Sequence, residues 1–245
     1  MIRARALSSP ERRVLAPALL LLELATRPAV PAEVYFEQTT VAHAGGAARG
    51  PGVLSRVWYA GRRMRLEPGE AGGPALVLRL DRGKAYRIDP ERKVAVELDL
   101  ERMRARAQMD LALAGELMGG ADATARTREL PGGKVVAGYS CRGYRIVAGG
   151  VAMDLYVSDA VPLDVEAFAD FLEWSGASRT LGGLLAEIRR LPGFPLQTRS
   201  RVEVMGEVQE TLSTVTKVGR GPFPARLFEL PPGYRLETEV PPEGR

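Results

Sequence analysis

The sequence predicts an α+β fold in which a curved, mostly antiparallel sheet wraps around two or three helices. Short segments in which apolar and polar residues alternate recur along the chain, as expected for strands with one face toward a core. Turn-forming Gly, Pro and Asp residues separate these segments, which favours antiparallel pairing. Three stretches with helical periodicity supply a cover for the apolar face of the sheet.

The first strands are predicted where β-branched, aromatic or alternating residues cluster: 34–41, 53–59, 62–67, 76–80, 86–88 and 94–98. The residue types at 81–83 and 89–92 are typical of tight turns, so the last three strands form an antiparallel meander. We expect this meander to have one apolar and one polar face, with Tyr86 and Ile88 continuing the apolar face of Leu76, Leu78 and Leu80.

A hairpin is predicted between Gly133 and Val157, with its turn at Gly149–Gly150. Its second strand alternates strictly, whereas Gly138 and Gly143 interrupt the first and indicate a bulge or a close backbone approach. The polar segment that ends at Pro131 is expected to be a loop. Three further strands are predicted at 199–205, 208–218 and 223–230.

Helices are predicted where apolar residues recur at steps of three or four. The first runs from Leu100 to Met118 and ends at Gly119–Gly120. The second follows Pro162 and aligns Phe168 with Phe171. The third begins near Ser178, carries Leu184, Leu185 and Ile188 on one face, and stops at Pro192. The pair Gly182–Gly183 weakens its first turn.

The chain divides into three predicted parts: a signal peptide at 1–32, a single domain at 33–236 and a flexible C-terminal tail at 237–245. A basic start, the nine-residue apolar run Val14–Leu22 and the small residues Val30 and Ala32 are typical of a cleaved secretory signal. We therefore expect a periplasmic or secreted protein. Cys141 is the only cysteine, so the exported domain depends on its core rather than on an internal disulfide.

The net charge of +4 does not indicate nucleic-acid binding, because the excess lies in the predicted signal. Removing the five Arg and two Glu of residues 1–32 from the 34 basic and 30 acidic residues leaves 29 basic and 28 acidic ones. A domain so nearly neutral offers no general phosphate-binding surface.

The residue inventory favours a non-enzymatic protein without cofactor or metal. His43 and Cys141 are the only His and Cys, which is too few for a usual zinc cluster. A Cys–His nucleophile would make the protein a hydrolase. This alternative is less favoured, because a strand cysteine usually packs as a small apolar residue.

Four segments carry a resemblance to a family: RVWYAGRRMRLE, AYRIDPERKVAVEL, KVVAGYSCRGYRI and LFELPPGYRLE. In this order, within residues 34–236, they resemble a secreted bacterial domain of unknown function related to the LolA/LolB-type carriers of outer-membrane lipoproteins. Ala95 stands where an aromatic residue is common in that family. The resemblance implies an incomplete β-barrel wrapped around helices, with an apolar cavity that holds acyl chains. No functional residue of the carriers aligns locally with this chain.

We therefore expect an exported monomer that binds a lipid or a lipoprotein acyl chain between sheet and helices. The predicted lid and cavity residues are apolar residues of the three helices: Met103, Met109, Leu111, Met118, Phe168, Phe171, Leu184, Leu185 and Ile188. Arg62, Arg63 and Arg65 are the predicted contact for a lipid headgroup or an acidic partner, unless they form a solvated strand face paired with carboxylates. The alternative function is an envelope protein-interaction or stress-sensing module that binds protein without lipid.

Overall fold

A computed structural model describes residues 33–69, 71–102, 125–148, 150–163, 165–174, 182–204 and 207–238, together with Ala105 and Met109. The strands are β1 (Glu33–Ala44), β2 (Ala47–Ala48), β3 (Val53–Ala60), β4 (Arg63–Pro68), β5 (Ala75–Arg79), β6 (Lys84–Asp89), β7 (Val94–Leu98), β8 (Arg126–Val136), β9 (Tyr139–Ala148), β10 (Val151–Ser158), β11 (Phe194–Val204), β12 (Glu207–Arg220) and β13 (Arg235–Thr238). The helices are α1 (Val165–Trp174) and α2 (Gly182–Arg189), and Ala225–Phe228 form one 3-10 turn.

The described strands form one 13-stranded sheet in the order β13-β7-β6-β5-β4-β3-β1-β12-β11-β10-β9-β8, with β2 paired to β1. Only β13 pairs in parallel, with β7, and every other pair in this sheet is antiparallel. The sheet is curved and open, because β13 and β8 are its two ends. The predicted α+β class with a mostly antiparallel sheet is confirmed.

The predicted helices are present where the chain is described. Residues 100–102, Ala105 and Met109 are helical, within the first predicted helix. Helix α1 coincides with the second prediction. Helix α2 is described from Gly182 and ends before Pro192, whereas the predicted start near Ser178 lies outside the described residues. In the part of the chain that the structure describes, no helix is both long and apolar enough to cross a membrane.

The segment expected to be a loop before Pro131 is instead the edge strand β8. Most of its side chains are exposed, which explains why it lacks an apolar alternation. The pairing register shifts between Leu130 and Gly133, so Pro131 lies at a bulge of an edge strand, where a missing backbone N–H is tolerated. The interruption at Gly138 is a hairpin turn between β8 and β9, because Ala137 and Gly138 both have positive φ (49° and 84°).

The C-terminal region differs most from the prediction. The strand expected at 223–230 is wrong: Ala225–Phe228 form a 3-10 turn. The chain then enters β13, whose Glu237 and Thr238 belong to the sheet although a flexible tail was expected from residue 237. Backbone pairing with β7 orders these residues, even though their exposed side chains give no apolar signal.

The meander β5–β7 is buried on both faces, which corrects the expectation of one polar face. Leu78, Ala85 and Leu98 face the interior. On the opposite face Val77, Ile88 and Ala95 are buried, with exposures of 1%, 2% and 0%, and Tyr86 and Ile88 belong to this second face. They are covered by Phe228 of the 3-10 turn, which arrives from a distant part of the sequence. We call this the outer face and the face beneath the helices the inner face.

Candidate functional site

Aromatic rings form the contact between α1 and the inner face of the sheet. Phe171 meets Tyr59 of β3 edge to face, with ring centroids 5.9 Å apart and planes at 88°. Phe168 meets Phe194 of β11 in the same way, at 5.0 Å and 81°. Phe194 in turn lies 5.2 Å from the ring of Phe36 in β1. Such edge-to-face pairs are favourable for aromatic rings, so α1 is held above the middle of the sheet.

Helix α2 packs over a different part of the inner face. Leu184 and Ile188 are each 1% exposed and belong to one cluster with Ile146 of β9 and Leu155 of β10. Leu185 is partly buried at the border of this cluster. The predicted lid residues of the second and third helices are therefore all in contact with the interior. Phe171 belongs to the cluster under α1, Leu184 and Ile188 belong to the cluster under α2, and Phe168 packs against both.

Of the predicted lid residues of the first helix, Met109 is the one that belongs to the described residues. Met103, Leu111 and Met118 lie outside the described residues. Met109 is described and is 73% exposed, so it does not pack against the sheet. A role for this helix as a lid stays a prediction.

A cavity of about 30 Å³ remains between α1 and the inner face. Met64 of β4, Leu78 and Leu80 of the β5 end, and Phe171 of α1 form its apolar walls. Such a volume accommodates about one or two water molecules. The β3–β4 turn and a carboxylate of α1 complete the lining with Gly61, Arg62, Arg63 and Asp170. The cavity therefore joins apolar walls to charged groups beside the β3–β4 turn.

The Tyr59 hydroxyl is the unusual polar group of this cavity. Tyr59 lines the cavity and is 3% exposed, and its oxygen has no hydrogen-bond partner in the described structure. Burial, and then the nearby Asp170 carboxylate, raise the pKa of this phenol well above its usual value, so it is a neutral donor. Asp170 itself is bound by Arg189 of α2 at 3.0 Å. An unpartnered buried hydroxyl is costly, typically by about 1–3 kcal/mol.

The predicted arginine cluster separates into three different environments. Arg65 donates to Glu67 at 2.7 Å and to the Leu227 carbonyl at 3.2 Å. Arg63 lies 3.8 Å from the Glu33 carboxylate and its guanidinium carbon 5.0 Å from the centre of the Phe228 ring. Both side chains hold the C-terminal region against the outer face. Arg62 is exposed in the β3–β4 turn, and within the described residues its side chain has no ion pair.

Cys141 and His43 are not arranged as a nucleophile and base. The Cys141 thiol is 4% exposed and donates to the Tyr139 carbonyl at 3.4 Å. Burial raises the pKa of this thiol, which lowers the thiolate fraction. His43 lies in β1 opposite Glu210, and no hydrogen bond joins it to Cys141 in the described structure. Among the described residues, no group of three or more His, Cys, Asp or Glu side chains is placed to hold a metal ion.

Sequence reasoning did not single out Tyr59 and Asp170. A weak signal for Tyr59 exists, because it shares the inward parity of Val57 in β3 and therefore places a hydroxyl on an apolar face. Asp170 lies directly between Ala169 and Phe171, which are buried. The two residues line one cavity because of how α1 crosses the sheet, which no local pattern indicates.

Comparison with known proteins identifies a family and several structures of similar fold. A family model described as "Domain of unknown function (DUF4412)" matches residues 69–234, a region that begins after Tyr59 and Arg62. No curated protein sequence matches the chain. Similar solved structures include PNGF-II (11% identity, TM-score 0.38, 86% of this chain and 31% of that chain) and MucB (13%, 0.42, 85% and 60%). A putative outer membrane lipoprotein-sorting protein domain from Vibrio parahaemolyticus is 8% identical, with a TM-score of 0.30 over 80% of this chain and 88% of that chain. The chain thus spans less than two thirds of the PNGF-II and MucB chains.

Proposed function

We propose that this chain, which belongs to the DUF4412 family of unknown function, binds an apolar ligand between its sheet and its helices. The ligand is a lipid or the acyl chain of a lipoprotein, and the protein acts in the periplasm or outside the cell without catalysis. The observation that carries the proposal is the cavity between Phe171 of α1 and the apolar side chains Met64 and Leu78 of the sheet.

The contact beneath α1 is suited to opening. Among the described residues, α1 is held to the sheet by ring contacts and apolar packing, and the ion pair of Asp170 joins α1 to α2 rather than to the sheet. Apolar contacts are non-directional, so an acyl chain can replace a ring of α1 without exposing apolar surface to water. Met64 adds a flexible side chain that adapts to irregular neighbours.

The size of the cavity sets a condition on the mechanism. A space of about 30 Å³ is far too small for an acyl chain, since small-molecule sites usually measure about 300–1,000 Å³. Binding therefore requires α1 to move away from β3–β5, with Phe171 leaving its contact with Tyr59. The ligand-free state is the closed one, and the ligand stabilises the open one.

The direct test is whether the protein carries or takes up lipid. The full chain is produced in a bacterial periplasm, and native mass spectrometry and lipid extraction identify any bound molecule. Uptake is then measured by the fluorescence of cis-parinaric acid, an intrinsically fluorescent fatty acid. Bound lipid together with saturable uptake is the expected result. A protein that is empty and takes up no probe would contradict the proposal.

A pair of methionine variants locates the site. Met64→Gln places an amide in the cavity wall and is expected to weaken uptake. Met153→Gln makes the same change under α2, where Met153 is 6% exposed but does not line the cavity. Because both methionines are buried, we expect the two variants to lose comparable stability, so an effect limited to Met64→Gln is an effect on the site. Equal losses of uptake would instead indicate general loosening of the core.

The alternative of a protein-interaction module has one structural feature to support it. Strand β8 ends the sheet and is largely exposed, so a partner's strand could pair with it. The bulge after Leu130 and the adjacent Pro131 interrupt this edge, however, and such features protect against strand addition. This alternative would be favoured if lipid-free protein captured one defined envelope protein. The capture should be lost in a variant whose β8 edge can no longer pair with a partner's strand.

The hydrolase alternative is tested through Cys141. Because this thiol is buried and its pKa is raised, alkylation by iodoacetamide at neutral pH is expected to be slow in the folded protein and fast after unfolding. Rapid alkylation of the folded protein would instead indicate an activated cysteine.

A further inference from the structure

We infer that the Tyr59 hydroxyl and the Arg62 guanidinium recognise the carboxylate of a free fatty acid whose chain lies beneath α1. The inference rests on the proposed function and specifies its ligand. Both residues line the cavity. Tyr59 is 3% exposed and its hydroxyl oxygen has no partner, so an acceptor is missing at the place where the ligand's polar end would lie.

The charges around the cavity favour an anionic group over a neutral one. Asp170 is the one acidic group in the lining, and Arg189 binds it at 3.0 Å. Arg63 also lines the cavity, but the Glu33 carboxylate and the Phe228 ring of the outer face already neighbour its guanidinium. Of the two cations in the lining, Arg62 is the one that has no ion pair within the described residues. A carboxylate accepts from both a phenol and a guanidinium, and hydrogen bonds that involve charged groups are the stronger ones.

The position of the two donors also gives the ligand a direction. Arg62 is exposed in the β3–β4 turn, whereas Tyr59 lies earlier in the chain, within β3, and is buried. The apolar walls at Met64 and Leu78 continue from there along the inner face. A carboxylate between the donors therefore keeps one side toward solvent and sends its chain inward. The cavity of about 30 Å³ is of the size of such a polar group, and the chain needs the movement of α1.

The test compares cis-parinaric acid with its methyl ester, which has the same chain but no charge. Fluorescence titration at pH 8 gives the Kd of each probe for the wild type and for three variants. Tyr59→Phe removes only the hydroxyl, Arg62→Gln removes the charge, and Tyr86→Phe repeats the hydroxyl deletion on the outer face. Thermal unfolding of the ligand-free proteins is measured in parallel.

We expect the acid to bind at least about tenfold more weakly to Tyr59→Phe and to Arg62→Gln, which is the loss of one good charged hydrogen bond. The ester binds the wild type more weakly than the acid does, and Arg62→Gln does not change its Kd. Tyr86→Phe leaves both Kd values unchanged. Without ligand, Tyr59→Phe is as stable as the wild type or more stable, because it removes an unpartnered buried donor.

The outcomes separate the inference from the proposed function. Unchanged binding of the acid to Tyr59→Phe would overturn the inference and leave the proposed function standing, with water as the partner of the hydroxyl. Equal affinity for acid and ester, unaffected by Arg62→Gln, would overturn the carboxylate assignment in favour of ester-linked lipids. A ligand-free Tyr59→Phe that loses stability would show that the hydroxyl already has a partner, which also contradicts the inference. A wild type that binds neither probe would overturn both.

Discussion

Two segments cover opposite faces of the sheet around β3–β5, and they are attached in different ways. The 3-10 turn on the outer face is bound through its backbone, because Arg65 and Arg79 donate to the carbonyls of Leu227 and Phe228, each at 3.2 Å. Helix α1 on the inner face touches the sheet through Phe168 and Phe171. Phe228 is fully buried, whereas Phe171 borders a cavity.

This difference suggests a division of roles between the covers. Hydrogen bonds from arginine are directional and fix the outer segment in one position. Ring contacts are exchangeable for other apolar contacts, and the inner cover leaves a buried hydroxyl unpartnered. The 3-10 turn Ala225–Phe228, which we call the outer cover, therefore stabilises the fold. Helix α1, which we call the inner cover, is the one that a ligand can displace. The following predictions test this division, beginning with the largest effect.

Phe228→Ala is expected to cost the most stability, about 3–5 kcal/mol, since it empties a fully enclosed space between the outer face and the 3-10 turn. Urea unfolding followed by circular dichroism measures the loss. Uptake of cis-parinaric acid by the folded fraction should be unchanged. A loss below about 1.5 kcal/mol would show that the outer cover is loosely packed.

Phe171→Ala is expected to cost less, about 3 kcal/mol or below, because this ring already faces empty space on one side and loses fewer contacts. The same unfolding experiment applies. Uptake of the probe should change in this variant, in affinity or in rate, because the ring that must move has been removed. If Phe171→Ala destabilises the protein more than Phe228→Ala does, the proposed division between the two covers is wrong.

Arg79→Leu is expected to cost about 2 kcal/mol, because it leaves the Phe228 carbonyl and the partly exposed Asp81 without their donor. Arg79 is only 6% exposed. The matched control is Arg82→Leu, the same change at an exposed position of the adjacent turn, with an expected effect within about 0.5 kcal/mol. Equal effects of the two variants would mean that the guanidinium of Arg79 does not fasten the outer cover.

The inner face could be predicted from the sequence, whereas the outer cover could not. Period-two alternation identifies strands such as β5 and β10 directly, because the pattern is contained within the residues of each strand. The alternation pattern does not predict the second buried face of the meander. It assigns Val77 and Ala95 to the solvent-facing side, because no neighbouring segment of the sequence is expected to cover them. Their cover, Phe228, comes from about 150 residues away: Arg79, which binds its carbonyl, is separated from it by 149 positions.

The candidate site was predicted only in part, for a related reason. Helical periodicity correctly selected Phe168, Phe171, Leu184 and Ile188 as inward-facing residues. It does not indicate which of them border a cavity, because a filled core and a cavity have the same apolar pattern. The sequence groups Arg62, Arg63 and Arg65 as one cluster, but the three side chains do not share one surface. Arg63 and Arg65 lie on the outer face of β4, and Arg62 lies in the β3–β4 turn.

The smallest expected effect is a change, at acidic pH, in the stability difference between the wild type and Arg79→Leu. The hydrogen bonds from Arg79, at 2.8 and 2.9 Å, hold the pKa of the Asp81 carboxyl below its usual value. A carboxyl with a lowered folded pKa stabilises the protein above its unfolded pKa of about 3.9, and this contribution is lost as the pH falls through the folded value. In Arg79→Leu this contribution is absent at every pH. The stability difference between wild type and variant should therefore narrow as the pH is lowered from about 5 toward 2.

Other carboxyls also titrate in this range, so the difference between the two proteins is the quantity to measure. Arg145 likewise lowers the pKa of Asp154 on the far half of the sheet, but this pair is the same in both proteins and cancels. Urea unfolding midpoints at several pH values give the difference, and Asp81→Asn provides the control. Its own deficit relative to the wild type should shrink over the same pH interval. A wild-type-to-variant gap that stays constant down to pH 2 would assign the whole effect of Arg79 to its bond with the Phe228 carbonyl. The outer cover would then be fastened by a pH-independent contact alone.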